Sequence, residues 1–126
     1  MTTMPSAYKE VEMSTEIMSA SPHRIIQMLF DRCLQQIHQA KHYVEKNDII
    51  NRNKCIVAAC AIVSHLRDCL HFDDQTKQMA ELLNKNYVLV EKSLLNAMLK
   101  NDADYLNMAA IIITNIKSGW DQIANK

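Results

Sequence analysis

The sequence holds a single glycine among 126 residues, which leaves no glycine-rich loop to cradle a phosphate. It has no G-x-S-x-G nucleophile motif and no Cys/His pair in a recognisable catalytic setting. Neither sign of charge is in excess: 14 Lys and Arg balance 14 Asp and Glu, so the electrostatic footprint of a nucleic-acid or anionic-membrane binder is missing. Such a balance suits protein partners. The longest apolar run, Cys55 to Val63, has nine residues, far short of the roughly 20 that span a bilayer. The N-terminal stretch carries Glu10, Glu12 and Glu16 and no apolar h-region, so no signal peptide is expected and the chain reads as soluble and cytoplasmic.

Cys33, Cys55, Cys60 and Cys69 are separated by 22, 5 and 9 residues, which is neither a CxxC pair nor a zinc-finger spacing. They read as free core thiols in a reducing cytosol. Di-iron bundles need Glu-x-x-His on two helices, and no Glu here has a His three residues on. His38 and His42 lie one turn apart, but Gln35, Gln39 and Glu45 flank them and no third ligand is evident, so a solvated polar face is expected. His23 sits in a first helical turn, where a positive charge is unfavourable, and a neutral polar contact is expected of it. No cofactor, metal or enzymatic activity is implied.

What is present is helical periodicity. Ser21 is a good N-cap and Pro22 fits the first helical position. From Ile25, the residues Ile26, Leu29, Phe30, Cys33, Ile37, Ala40 and Val44 recur at steps of three and four. Asn47-Asp48, His71-Phe72-Asp73-Asp74 and Asn101-Asp102 are turn signals, with Asp73 or Asp74 and Asp102 placed to cap the helices that follow. The helices are expected over about 22–46, 50–70, 75–100 and 103–124. Links this short cannot carry the chain back along a helix of about 30 Å, so neighbours must run antiparallel. The expected fold is all-α: an up-down-up-down four-helix bundle over 21–126. Residues 1–20 form a separate leader that is either a frayed tail or a movable strap laying Tyr8, Val11, Ile17 and Met18 over an apolar groove.

One apolar stripe per helix closes such a bundle, and this chain has more. Residues 55–63 are apolar all round the second helix, which makes it either a buried central helix or one covered by a partner. In the third helix Met79, Leu83, Tyr87, Val90, Leu94 and Met98 mark the inner face, while Leu82, Leu89, Leu95 and Leu99 add a second flank. The fourth has the seam Leu106, Ala109, Ile113, Ile116, Trp120 and Ile123, and beside it Tyr105, Met108 and Ile112. Gly119 beside Trp120 would be explained by close approach of a neighbouring backbone. Surplus stripes side by side form grooves suited to an amphipathic helix, and methionines give them an adaptable lining.

Two stretches carry a family resemblance. Ala7-Tyr8 through Met18-Ser-Ala-Ser-Pro-His23 to Gln27-Met-Leu-Phe-Asp31, and Lys100-Asn-Asp102 followed by Asn115-Ile-Lys-Ser-Gly-Trp-Asp-Gln-Ile123, resemble the flagellar secretion chaperones called FliS in order and spacing. The departures are Gln75-Thr76 where similar proteins often have Gly-Gly, and Lys92-Ser93 where they have paired arginines. The resemblance implies a non-enzymatic cytoplasmic chaperone that binds the C-terminal segment of flagellin. It would prevent premature polymerisation and help deliver the client to the flagellar type III export apparatus. Some relatives also bind an anti-sigma factor or a co-chaperone. By motif position, Tyr8 and Val11 are carried over as strap residues. From the surplus stripes, Ile25, Met28, Val57, Ala61, Tyr105, Met108 and Ile112 are candidate partner contacts, each of which also reads as ordinary core. A self-associating bundle is the alternative reading of the same stripes.

Overall fold

A computed structural model describes residues 20–123, so the strap with Tyr8 and Val11 lies outside the described residues. Four helices follow one another: α1, Pro22–Glu45; α2, Ile49–Asp68; α3, Lys77–Lys100; and α4, Ala103–Ile123. The Ser21 side chain accepts a 3.1 Å bond from the Arg24 amide, ahead of Pro22 in the first turn. At the other end of α1 the chain turns through Asn47 in the left-handed region, at φ 57°, a conformation that asparagine tolerates better than most residues. Asp48 then caps α2 by accepting from the backbone N–H and the side-chain amide of Asn51. Those two bonds hold the Asp48 carboxyl below its usual range.

The same device recurs between α3 and α4. Asn101 adopts φ 49°, and Asp102 accepts from the Asp104 amide. The α2–α3 link is built differently. Asp73 accepts from the backbone of Gln75 and Thr76 and from the Thr76 hydroxyl, and α3 starts only at Lys77. Asp73 therefore organises a turn rather than capping the helix, which is why α3 begins two residues later than its periodicity predicts.

The helices pack in a closed ring: α1 against α2, α2 against α3, α3 against α4 and α4 against α1. Each supplies one stripe to the core: Phe30, Cys33, Ile37 and Ala40; Cys55, Ile56, Ala59, Val63 and Leu66; Tyr87, Val90, Leu94 and Ala97; Leu106, Ala109 and Ile113. This is the all-α four-helix bundle. Burial pushes the Cys33 thiol up to about 12, with Cys60 adding to the rise, and it likewise pushes the Tyr87 hydroxyl up to about 12. Neither ionises near neutrality.

Four expectations change. α2 is not a central helix, because it packs on α1 and α3 and turns Val57 and Ala61 to solvent. Met79 is exposed instead of inward-facing, and Cys69 is exposed although its phase placed it in the core. Both lie at the ends of their helices, beside the α2–α3 turn. Gly119 is not explained by packing: an added Cβ would meet nothing within 4 Å.

Candidate partner-binding surface

The surplus stripes stay uncovered, and they lie on different sides of the bundle. Arg67 on α2 donates to Asn84 and Glu91 on α3, so the α3 flank on that side, which includes Leu95 and Leu99, faces the α2–α3 groove. Ser93 on the opposite flank of α3 bonds Met108 on α4 at 3.4 Å, and Lys100 reaches the Tyr105 hydroxyl at 3.1 Å. Leu82 and Leu89, which share the Ser93 flank by helical phase, therefore face the α3–α4 groove. What periodicity alone groups as one flank is two.

Three of the candidate residues sit together on the α3–α4 side. Met108 is 53 % exposed, while Tyr105 and Ile112 are half-buried and pack against the core. Val57 and Ala61 form a second group. With Ile50, Asn53, Lys54 and Ala58 they line a shallow, almost wholly apolar depression of about 430 Å³ along the outer face of α2. Ile25 is half-buried and Met28 is buried, outside the central core cluster. Neither is on open surface. Among the described residues the candidates thus form two separate groups that reach the surface, around Val57 and around Met108, and a less accessible pair, Ile25 and Met28, not a single site. Ile50, Leu89 and Leu99 are exposed apolar residues with the same character that stripe reasoning did not place among the contacts. Their exposure could have been found by asking which flank of each helix the ring leaves open.

The seam between α1 and α4 is closed by polar and aromatic contacts. The His23 and Trp120 rings stack, with centroids 4.6 Å apart and planes 6° from parallel, and the Trp120 indole donates to the His23 carbonyl at 3.1 Å. Gln27 donates to Asp121 at 2.8 Å, and Lys117 bridges Asp121 at 2.7 Å and Asp31 at 3.6 Å. Bonds from Lys117 first, then Gln27, hold the Asp121 carboxyl below its usual range, and the Asp121 bond raises Lys117. The His23 Nε2 has no hydrogen-bond partner among the described residues, and the face of the ring rests on indole. Pro22 to Asp31 and Asn115 to Ile123, which are parts of the stretches that carry the family resemblance, therefore meet in space along this one seam.

The family model described as "Flagellar protein FliS" matches residues 4–126, almost the whole chain. The chain belongs to the FliS family. A flagellar secretion chaperone FliS of Vibrio cholerae is 33 % identical over 93 % of this chain and 85 % of its own. The FliS of Salmonella typhimurium is 29 % identical over 95 % and 89 %, and FliSB of Pseudomonas aeruginosa 29 % over 94 % and 93 %. FliS proteins are chaperones, so the function of this chain lies in binding flagellar partners and assisting export, not in catalysis. Among the described residues no helix is long and apolar enough to cross a membrane, and no group of His, Cys, Asp or Glu could hold a metal ion.

Proposed function

We propose that this FliS protein is a cytoplasmic chaperone that holds the C-terminal segment of flagellin on its uncovered apolar stripes, prevents premature polymerisation and assists delivery to the flagellar type III export apparatus. The supporting observation is the pair of exposed apolar groups around Val57 and Met108, left over after every helix has filled its share of the core. Surfaces of this kind suit amphipathic segments that order as they bind. Burying on the order of 1,000 Å² of apolar surface would gain about 25 kcal/mol gross. Ordering a flexible segment and association entropy offset much of this, leaving a complex that can be released. In this reading Tyr8 and Val11 belong to a strap that yields its place to the client.

Calorimetric titration of the full chain with a peptide covering the C-terminal segment of its own organism's flagellin tests the reading. One-to-one binding with a negative heat-capacity change is expected, weakened by Met108→Asp and by Val57→Asp, both of which alter exposed side chains. A chain that ignores the peptide and sediments as a symmetric dimer instead uses its stripes for self-association.

A further inference from the structure

Four of the eight methionines, Met28, Met79, Met98 and Met108, lie among the described residues. Met28 is 5 % exposed, and Met98 is half-buried against the core. Met79 and Met108 are 61 % and 53 % exposed, so an oxidant in solution reaches both. They differ in what holds the sulfur. The Met79 sulfur has no hydrogen-bond partner among the described residues. The Met108 sulfur accepts a bond from the Ser93 hydroxyl, across from α3 to α4, at 3.4 Å. A serine inside a helix often turns its hydroxyl back to a carbonyl of the preceding turn. Ser93 does not: the Met108 sulfur is the only side-chain hydrogen-bond partner of Ser93 among the described residues, and Ser93 is buried, which leaves little room for water to compete.

A thioether sulfur carries two lone pairs at the end of a flexible, unbranched side chain. An unheld sulfur turns and shows both pairs to solvent. At Met108 the hydroxyl takes one pair from the buried side, restrains the rotation and leaves the other pair facing away from Ser93. That second pair is the one a peroxide meets. It attacks a peroxide oxygen, so that an S–O bond forms while the O–O bond breaks. The proton on the transferred oxygen passes to the departing hydroxide, which leaves as water. The sulfur is oxidised by two electrons and the peroxide is reduced by two. Because the sulfoxide is chiral, attack through one lone pair yields one epimer and attack through the other its counterpart.

We propose that Met108 is a site of reversible oxidation by peroxides, and that the Ser93 hydroxyl makes it yield chiefly one sulfoxide epimer. The reductase specific for that epimer removes the oxygen as water, with two electrons from thiols, and restores the thioether. Between the two states the group that Met108 forms with Tyr105 and Ile112, one turn away on either side along α4, gains or loses a strongly polar oxygen. Met108 is also among the proposed flagellin contacts, but the oxidation belongs to the free chain and its test needs no flagellin, so either can fail without the other.

The full chain is treated with hydrogen peroxide to partial conversion, then unfolded and cut with trypsin, which places each of the four methionines in a different peptide. Each peptide is offered to the reductase specific for one epimer or for the other, and the fraction of the added oxygen removed is read by mass. Met79 is expected to give a near-even mixture, and Met108 an excess of one epimer of at least about three-fold. In Ser93→Ala the Met108 excess should fall to the Met79 level, while Met28 stays unoxidised as the sign that the variant is folded. Should the variant expose Met28, the comparison of Met108 with Met79 in the unaltered chain carries the test. A near-even mixture at Met108, the same excess at Met79, or an excess that persists in folded Ser93→Ala would overturn the inference.

Discussion

The α1–α4 seam and the α2–α3 face lie across the bundle from each other and treat apolar surface in opposite ways. At the seam, an aromatic pair stacked 6° from parallel and a Gln27–Asp121–Lys117–Asp31 chain of polar contacts close the joint. Across the bundle, Val57, Leu95 and Leu99 stand more than half exposed to solvent. The core between them is continuous and gives no reason for the difference. Solvent-exposed aliphatic groups add little to the stability of the folded chain, and in the proposed reading they serve a partner. The contrast separates residues that hold the bundle from residues that the bundle does not need.

Trp120→Ala should affect stability most, because it removes the stack, the bond to the His23 carbonyl and a large half-buried surface at once. A loss of about 2–3 kcal/mol in urea unfolding is expected, and a loss below that of an ordinary surface change would remove the seam's claim to hold the bundle. Gly119→Ala should act in the other direction. An added Cβ meets nothing within 4 Å, so the gain is the helix-propensity difference, about 1 kcal/mol. If the variant is more stable yet binds flagellin less well, the bare backbone at Gly119 belongs to the open side of the comparison.

A smaller effect comes from pH. Asp121 is held below its usual range by Lys117 and Gln27. Its folded value thus lies under its unfolded one, ordinarily about 3.9. The contribution to stability is complete above the unfolded value and disappears as pH falls through the folded one. Asp121→Asn should flatten the acid limb of a stability profile. An unchanged limb would assign the acid sensitivity to other carboxylates. Leu99→Ser closes the series, with stability expected to stay within about 0.5 kcal/mol of wild type, because the side chain is 75 % exposed. A large loss of stability there would make Leu99 a structural residue and erase the contrast.

Much of the fold was legible from periodicity, turn residues and link lengths, because a short link forces antiparallel neighbours whatever the side chains do. The two Asn-Asp turns were readable for the same local reason: asparagine tolerates the left-handed conformation and aspartate caps the helix that follows. Less legible was which neighbour stands on which flank. The phase of Leu82, Leu89, Leu95 and Leu99 places them off the inner face, but only the ring order shows that the first two face α4 and the last two face α2. Met79 and Cys69 were misplaced because phase alone does not fix which side chains of a helix's last turn are covered: Ala80 is buried while Met79 beside it is exposed. The joining of His23 to Trp120 could be read from no local rule, since 97 residues separate them.

That separation constrains how the molecule is made. A ribosome releases α1 first and α4 last, so the strand of sequence that completes the ring arrives after everything else it must join. Until then Phe30, Cys33 and Ile37 have no fourth wall, and a nascent chain presents the very apolar side chains that the finished bundle hides most thoroughly. A flagellar secretion chaperone therefore passes through an exposed stage of its own, which ends only when Trp120 reaches His23.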